Sequence, residues 1–259
     1  MLDLLIITGA SRGIGKSVAS NLLPHSKMIV LISSSELVND FEDSKINPNH
    51  SVFKLQADIS NFDDALKKLS SLNLHIEKCD KIGLVFCASQ LGSPGGILEE
   101  SMSEMSNLIN INTLGNLNIF QFVIKKIKSN CMLRAVFFAG GGAAYGYPDF
   151  FGYSLSKVSI VRAVENLAIE IKKIAVNTSI IALAPGAVAT DMLAKVIASG
   201  GFVKTQTKIT EPVNFVKKFL FDEIDSKNLN GRFMHVRDDL SKNITENLSD
   251  NHFKLRRVE

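Results

Sequence analysis

Tyr153 and Lys157, four residues apart in the segment Tyr-Ser-Leu-Ser-Lys, are the two side chains best suited to acid–base chemistry. In a helix this spacing places both side chains on one face, one turn apart. A phenol with an ordinary pKa of about 10 is a poor base at neutral pH, but a neighbouring ammonium lowers that pKa by favouring the phenolate. The pair therefore indicates proton transfer by Tyr153, the alternative being an exposed tyrosine beside a solvated lysine.

A glycine-rich segment, TGASRGIG at residues 8–15, follows an apolar run and precedes a helical pattern. Gly9 permits a tight turn, Gly13 lets the backbone approach a pyrophosphate, and Gly15 lets the helix pack on the sheet. Backbone N–H groups and the start of the helix attract phosphates. The motif predicts a dinucleotide site whose contacts are Gly9, Ser11, Arg12, Gly13, Ile14 and Gly15.

Alternating strand-like and helical segments must position these residues. The predicted strands are residues 4–8, 28–32, 52–56, 82–87, 133–139, 176–183 and 232–236. The predicted helices are residues 13–23, 62–72, 105–129, 152–174 and 212–221, with Ser60 and Thr210 as caps. This alternation predicts an α/β fold with a Rossmann-type, doubly wound parallel sheet of about seven strands and helices on both faces.

Right-handed crossovers between parallel strands bring ligands to the carboxyl ends of the strands, beside the point where strand order reverses. The glycine-rich segment follows the first predicted strand and Tyr153 follows the fifth, so both belong to that edge. No linker-like stretch divides the 259 residues, of which 46% are hydrophobic. One domain spanning residues 1–259 is therefore predicted.

Charge and composition limit the classes of partner that the sequence predicts. The net charge is +3, and Lys and Arg are scattered along the chain, so no nucleic-acid partner is implied. Cys79, Cys87 and Cys131 are predicted to be reduced core thiols, and the five histidines do not approach metal-ligand spacing, so no metal is expected. The first strand begins directly after Met1, and no apolar run approaches the ~20 residues that cross a bilayer. These features predict a cytoplasmic protein without a membrane partner.

The glycine spacing G-x-x-x-G-x-G and the Tyr-Ser-Leu-Ser-Lys segment together resemble the short-chain dehydrogenase/reductase family, in its compact single-domain branch. The resemblance extends from residue 2 to about residue 190, with a looser match to residue 236. It implies that Tyr153 exchanges a proton with substrate and that Lys157 orients the nicotinamide ribose. Asn112 matches an asparagine that supports a proton-relay water in that family, although a solvent-facing Asn is the alternative in this Asn-rich stretch.

The same resemblance implies further cofactor contacts where predicted strands end. An acid after the third strand matches the residue that lines the adenine pocket, and a Pro-Gly loop after the sixth strand matches the one that meets the nicotinamide carboxamide and phosphates. The residues concerned are Asp58, Ile59, Ala88, Pro185, Gly186, Val188 and Thr190. Taken alone, Asp58 would be a helix-capping residue and the Pro-Gly loop an ordinary turn.

Two departures from the family pattern affect the expected activity. The usual catalytic serine, thirteen residues before the tyrosine, is replaced by Gly140, and no Ser or Thr lies between Cys131 and Tyr153. In one interpretation the chain is active, with backbone N–H groups at Gly140 and Gly141 and the Tyr145 hydroxyl contacting the substrate oxygen. In the other it is a catalytically weak or inactive dinucleotide-binding sensor or scaffold subunit. The second departure, Phe-Cys-Ala-Ser at residues 86–89, retains only the alanine of the family motif.

The sequence favours NADP(H) over NAD(H), because the second strand is followed by Ser33 and Ser34 rather than by an acid that would bind a ribose 2′-hydroxyl. Arg12 and these hydroxyls are predicted to hold a 2′-phosphate. Residues 192–207 are predicted to form a mobile lid over a small-molecule carbonyl or alcohol substrate, of keto-sugar or 3-oxoacyl type. Through the long helices at residues 105–129 and 152–174, the resemblance also implies a homodimer or homotetramer.

Overall fold

A computed structural model describes residues 1–37, 50–175, 177–201, 203, 205–241 and 245–256 of the chain. The strands are β1 Leu2–Thr8, β2 Ser26–Ser33, β3 Ser51–Gln56, β4 Lys81–Phe86, β5 Met132–Phe138, β6 Thr178–Ala184, β7 Ala187–Val188, β8 Gln206–Thr207 and β9 Phe233–His235. The helices are α1 Gly13–Leu22, α2 Phe62–Ser70, α3 Met102–Ile109, α4 Asn116–Ile124, α5 Phe151–Glu170, α6 Asp191–Ala198 and α7 Thr210–Leu220. A π-helical segment, Asn110–Gly115, joins α3 to α4.

Seven strands form one parallel sheet in the order β3-β2-β1-β4-β5-β6-β9. The order reverses at β1, where Ile7 pairs with Leu31 of β2 on one side and with Val85 of β4 on the other. The crevice between the ends of β1 and β4 is therefore the switch point of the sheet. The prediction of a doubly wound Rossmann-type fold is confirmed.

Each face of the sheet is covered by a separate apolar layer. Leu4 and Ile6 of β1 face a layer that includes residues of α2, α4 and α5, whereas Leu5 and Ile7 face a layer built with α1 and α7. This alternation within an almost wholly apolar strand is what burial on both faces requires. The sheet is consequently a rigid support for the loops at its carboxyl edge.

The predicted helices needed three corrections. The predicted helix at residues 105–129 is divided by the π-helical segment, whose extra residue per turn allows Asn116 to reach the Ile111 and Asn112 carbonyl groups at 3.3 and 3.0 Å. α6 forms within the predicted lid, because its apolar residues Leu193 and Val196 pack against buried neighbours. The caps also differ, since Asn61 rather than Ser60 accepts the N–H group that caps α2.

The seven predicted strands are confirmed, with ends shifted by at most two residues. Val176, which opened the sixth predicted strand, lies outside the described residues. Thr210 is the first residue of α7 and not its cap, because the helix starts two residues earlier than the apolar pattern indicated. None of the helices in the described ranges is long and apolar enough to span a membrane.

Candidate active site

The glycine-rich loop joins β1 to α1 at the switch point of the sheet. A Cβ atom on Gly9 would lie 2.7 Å from the backbone nitrogen of Ala88, and one on Gly15 would lie 2.2 Å from the Gly9 carbonyl oxygen. These two glycines are therefore required by close backbone packing. Gly13 has a positive φ of 55°, and a Cβ there would meet only the Thr190 side chain, at 3.5 Å.

The first turn of α1 is suited to an anionic ligand. Its N-cap, Arg12, makes no side-chain capping hydrogen bond, and the turn contains no acidic residue. The positive end of the helix thus lacks a negative side-chain partner in its own first turn. Together with the open space over Gly13, this fits the pyrophosphate of a dinucleotide, with Ile14 at the start of the helix.

A chain of serine hydroxyls links the glycine-rich loop to the end of β2. Ser35 donates to Ser11 at 2.9 Å and lies 3.2 Å from the Ser33 hydroxyl. Ser34 is exposed beside them. Arg12 is directed elsewhere, toward the Asp191 carboxylate at 3.8 Å, in a pair whose side chains are 73% and 78% exposed. Such an exposed pair is weak, so the Arg12 guanidinium is free to move to another anion.

Tyr153 and Lys157 lie on the first turns of α5, as their spacing predicted, but both are buried, with exposures of 9% and 2%. The Lys157 Nζ atom donates to the Phe138 carbonyl oxygen at 3.0 Å and lies 5.5 Å from the centroid of the Tyr153 ring. The ammonium is therefore held at the end of β5, against the aromatic face, as in a cation–π contact.

Burial controls the acid–base state of this pair. Desolvation raises the pKa of Tyr153 above its ordinary value, and nearby Tyr147 raises it further. Desolvation also lowers the pKa of Lys157 to about 8, against a smaller opposing influence of Cys87. The sequence predicted a lowered pKa for Tyr153, whereas in the structure the pKa is raised, because burial disfavours the charged phenolate.

Asn112 is fully buried in the π-helical segment and does not face solvent. Its side-chain amide accepts from the Gln90 N–H at 2.7 Å, donates to the Gln90 carbonyl at 2.9 Å and donates to Ser156 at 2.8 Å. These bonds fix the loop after β4 to α5, one residue before Lys157. The side chain thus positions α5, and a relay role for Asn112 stays a prediction.

Asn116 is a site residue that sequence reasoning missed. Its buried side chain accepts from the Thr8 hydroxyl at 2.7 Å and donates to the Ala88 carbonyl at 3.0 Å. Ala88 in turn donates its N–H to Thr8 at 3.2 Å. This triangle joins the ends of β1 and β4 to the start of α4. From the sequence, Asn116 is recognisable only as a neighbour of Asn112, because neither residue spacing nor helix propensity distinguishes one asparagine from the other.

Gly140 is the residue thirteen positions before Tyr153, where the family pattern described above has a serine. Its backbone is extended, with φ of 174°, and a Cβ atom built on it would lie 3.0 Å from the Tyr153 hydroxyl oxygen. A side chain at this position would therefore point at the phenol. Gly141 follows in a short 3-10 turn. A Cβ atom built on Gly141 would meet no other atom within 4 Å, so there is open space beside this residue.

The aromatic neighbour of the phenol differs from the expected one. Tyr145 is 81% exposed, whereas Tyr147 packs against the buried cluster of Leu91, Phe150, Tyr153 and Val196. Tyr147 also stacks on Phe150, with ring centroids 5.4 Å apart. Met192, at the start of α6, packs on the same cluster. The predicted lid thus contributes apolar cover to Tyr153, and Tyr147 is the tyrosine that borders it.

The other predicted cofactor contacts surround the same edge. Asp58 is exposed after β3 and accepts from the N–H and hydroxyl of Ser60 at 2.9 and 2.7 Å, so its carboxylate stabilises a local turn. Ile59 is buried, and its carbonyl packs against Gly115. The loop from Pro185 to Thr190 follows β6, in which Gly186 packs on Thr207, Val188 is buried and Thr190 faces Gly13.

Glu100 is a second residue that the sequence did not reveal. This buried carboxylate accepts from the Gly152 N–H at 2.6 Å, directly before Tyr153, and a Cβ on Gly152 would lie 2.4 Å from its other oxygen. The Gly95 carbonyl accepts from Phe151 at 3.3 Å. The loop before α3 therefore caps α5 at its positive end. No spacing rule connects residues 52 positions apart.

Residues 3–199 match the family described as short chain dehydrogenase. The chain is 29% identical over 178 residues to 3-ketodihydrosphingosine reductase of Mus musculus, covering 65% of this chain and 52% of that protein. The chain thus matches about half of that relative's length. It is 24% identical over 248 residues to carbonyl reductase family member 4 of Danio rerio, covering 91% of this chain and 97% of that protein.

Solved structures show the same fold at lower sequence identity. A levodione reductase superposes with a TM-score of 0.75 at 20% identity, covering 90% of this chain and 95% of that one. A 4-hydroxyisoleucine dehydrogenase complexed with NADH superposes with a TM-score of 0.70 at 19% identity, covering 90% and 96%. At these identities the likeness establishes the fold.

The lowered pKa of Lys157 predicts a stability change with pH. Between about pH 8 and the ordinary lysine pKa of 10.5, the unfolded chain binds a proton that the folded chain has released, so raising the pH favours folding. From pH 7.5 to 10, the free energy of unfolding of the wild type relative to Lys157→Met should rise by about 2 kcal/mol. Urea titrations of both proteins measure this difference, in which common contributions from Tyr153 and the cysteines cancel. Parallel pH profiles would show that Lys157 is not desolvated.

The Glu100 contact predicts that this residue holds the start of α5. Glu100→Ala should destabilise the fold by about 1–3 kcal/mol, because the Gly152 N–H loses its partner, and should lower the melting temperature by several degrees. Glu100→Gln retains an acceptor and should lose less. Glu99→Ala, which removes an exposed bond to the Gly96 N–H, is the matched control. Equal melting temperatures for Glu99→Ala and Glu100→Ala would contradict the assignment.

Proposed function

The chain belongs to the short chain dehydrogenase family, and we propose that it is an NADP(H)-dependent oxidoreductase acting on a carbonyl or alcohol substrate. When bound, the cofactor supplies hydride exchange between nicotinamide C4 and the substrate carbon. The observation that carries the proposal is the buried Tyr153–Lys157 pair beside Gly140, at the edge of the sheet where the glycine-rich loop also lies.

Tyr153 is proposed to exchange the proton with the substrate oxygen. Because burial keeps the phenol neutral, the group suits proton donation, as carbonyl reduction requires. Lys157 is proposed to orient a ribose and to resupply the proton, since its pKa of about 8 allows both protonation states near neutral pH. Asn112 supports this arrangement by fixing α5 against the loop after β4.

The segment between Cys131 and Tyr153 offers the substrate oxygen no serine or threonine hydroxyl. The proposed substitutes are the backbone N–H groups of Gly140 and Gly141, with Tyr147 in place of Tyr145 as the nearby phenol. Loss of one oxyanion donor costs a factor of about 10²–10³, which slows an enzyme without abolishing turnover. The apolar cluster around Tyr153, including Met192 and Val196, favours a substrate that is partly apolar at its reacting end.

The residues that would hold the cofactor favour a 2′-phosphate. The end of β2 presents Ser33, Ser34 and Ser35, and Ser35 is hydrogen-bonded to Ser11 of the glycine-rich loop. A hydroxyl cluster and the weakly paired Arg12 offer donors to a phosphate, whereas a ribose 2′-hydroxyl would call for a carboxylate. NADP(H) is therefore the proposed cofactor, with Asp58 and Ile59 toward the adenine end.

Two further features of the proposal concern assembly and location. Leu114 and Leu155 are 42% and 39% exposed on the helical segments at residues 110–115 and 151–170, where an apolar contact with a second copy would cover them. A homodimer or homotetramer is therefore proposed. A keto-sugar or a 3-oxoacyl compound as substrate stays a proposal, and the cytoplasmic location and the single domain stay predictions of the sequence.

Replacing the phenol tests the assignment of Tyr153. Tyr153→Phe should lower kcat/KM by about 10²–10⁴, because the substrate oxygen loses its proton donor, while the Kd for NADPH should stay the same. Tyr145→Phe is the matched control, since that side chain is exposed, and should retain full activity. The measurement is loss of reduced-nicotinamide absorbance with a panel of ketones, keto-sugars and 3-oxoacyl thioesters. Full turnover by Tyr153→Phe would exclude the proposed role.

The same panel separates an enzyme from a sensor or scaffold subunit. Tight NADPH binding with no turnover by the wild type would favour the sensor or scaffold. Gly140→Ser is informative in both cases, because its side chain would point at the Tyr153 hydroxyl. Turnover that appears only in Gly140→Ser would show that the glycine alone disables the site.

A negative charge introduced at the end of β2 tests the proposed preference for NADP(H) over NAD(H). Ser34→Asp should raise the KM for NADPH by about tenfold or more, because a carboxylate repels the 2′-phosphate, and Arg12→Gln should act in the same direction by removing a charged donor. Both variants should leave the KM for NADH unchanged or improved, so NADH serves as the internal control. Wild-type kinetics that clearly favour NADH would refute the proposed preference.

A further inference from the structure

A cavity of about 320 Å³ lies along the C-terminal half of α5, beyond the turns that carry Tyr153 and Lys157. One wall is formed by Arg162, Glu165 and Ile169, whose spacing of three and four residues places them on one face of α5, and by Lys172 in the 3-10 turn that follows the helix. The second wall is the turn at residues 230–231, and the third is the segment 254–256. Its volume is within the range of small-molecule sites.

The turn that closes the cavity is fixed by a glycine. Gly231 has a positive φ of 77°, and a Cβ atom there would lie 2.8 Å from the Cβ atom of Ala168 on α5. Asn230 beside it donates to the Ala168 carbonyl at 3.4 Å and accepts from the Ile180 N–H at 2.8 Å. The turn at residues 230–231 is therefore hydrogen-bonded both to α5 and to the central sheet, so this wall of the cavity is held in a fixed position.

Glu165 organises the guanidinium groups around the cavity. This carboxylate is only 5% exposed and accepts from Arg162 at 2.6 Å, from Arg256 at 2.8 Å and from the Leu255 N–H at 2.6 Å. One buried carboxylate therefore faces two guanidinium groups. The arrangement holds both arginines in place and leaves part of their positive charge uncompensated.

Two lysines add to this positive charge. Within the described ranges neither Lys172 nor Lys254 forms an ion pair or a hydrogen bond. Burial lowers the pKa of Lys254, and repulsion by Arg232 and Arg256 lowers it further, against weaker attraction by Asp250 and Glu165. Arg232 is itself buried, and its hydrogen bonds to described residues go to the carbonyl oxygens of Asn228, Ser249 and His252. The cavity is therefore a region of positive potential.

We propose that this cavity binds a phosphoryl group, either as free phosphate or on a small phosphorylated molecule. Guanidinium groups match the geometry of phosphate oxygens, and Lys172 and Lys254 are the two cations available to complete the charge balance. The assignment does not depend on the proposed oxidoreductase activity, because binding here involves none of the residues of the candidate active site.

Isothermal titration calorimetry of the full chain tests the proposal with three probes, inorganic phosphate, pyrophosphate and glycerol phosphate, at constant ionic strength. NADPH is kept at saturation so that the glycine-rich loop does not contribute. The Lys172→Gln/Lys254→Gln double variant should bind the best probe at least about tenfold more weakly than the wild type, because it loses two charged contacts. Lys173→Gln, an exposed neighbour outside the cavity, is the matched control and should bind as the wild type does.

The outcomes of the titrations test the site and also distinguish free phosphate from an organic phosphate as its ligand. Tighter binding of glycerol phosphate than of inorganic phosphate would identify an organic phosphate, and the reverse would identify the free anion. No binding by the wild type, or equal affinity in the double variant and in Lys173→Gln, would overturn the proposal. Unchanged melting temperatures would establish that both variants fold, and since no step requires turnover, failure here leaves the proposed function unaffected.

Discussion

The parallel pairing of β1 with both β2 and β4 is the constraint on which the site depends. It brings the carboxyl ends of neighbouring strands to one edge and leaves the switch point between β1 and β4 open. The Thr8–Asn116–Ala88 triangle then closes the gap between those two ends with three hydrogen bonds. Because Gly9 packs directly against the Ala88 backbone, the glycine-rich loop is held in position by the same contacts.

Helix α5 connects the other parts of the molecule. Its first turn is capped by Glu100 and Gly95, its second turn carries Lys157 against the Phe138 carbonyl, and its C-terminal half carries Glu165. Thr113 adds a hydrogen bond to the Ser156 carbonyl at 2.9 Å from the π-helical segment. A helix fixed at so many points along its length holds Tyr153 within a small range of positions, as the proposed proton transfer would require.

Burial gives the site its chemical character. Tyr153 and Lys157 are both buried, and burial favours the neutral form of each, so the pKa of Tyr153 is raised and that of Lys157 is lowered. In such surroundings a polar contact to the reacting oxygen is stronger than it would be in water. Gly140 places no side chain against the Tyr153 hydroxyl, and the extended backbone there does not itself demand glycine.

The sequence by itself determined the sheet, the glycine-rich loop and the Tyr153–Lys157 pair, because each depends on local spacing or on apolar periodicity. It located Gly140 by counting, and the structure places that residue against the Tyr153 hydroxyl. Tertiary structure alone decided that Glu100 caps α5 and that Tyr147 borders the phenol. It also decided that burial raises the pKa of Tyr153. These properties arise from contacts between distant segments and from exclusion of water, neither of which leaves a periodic signal in the chain.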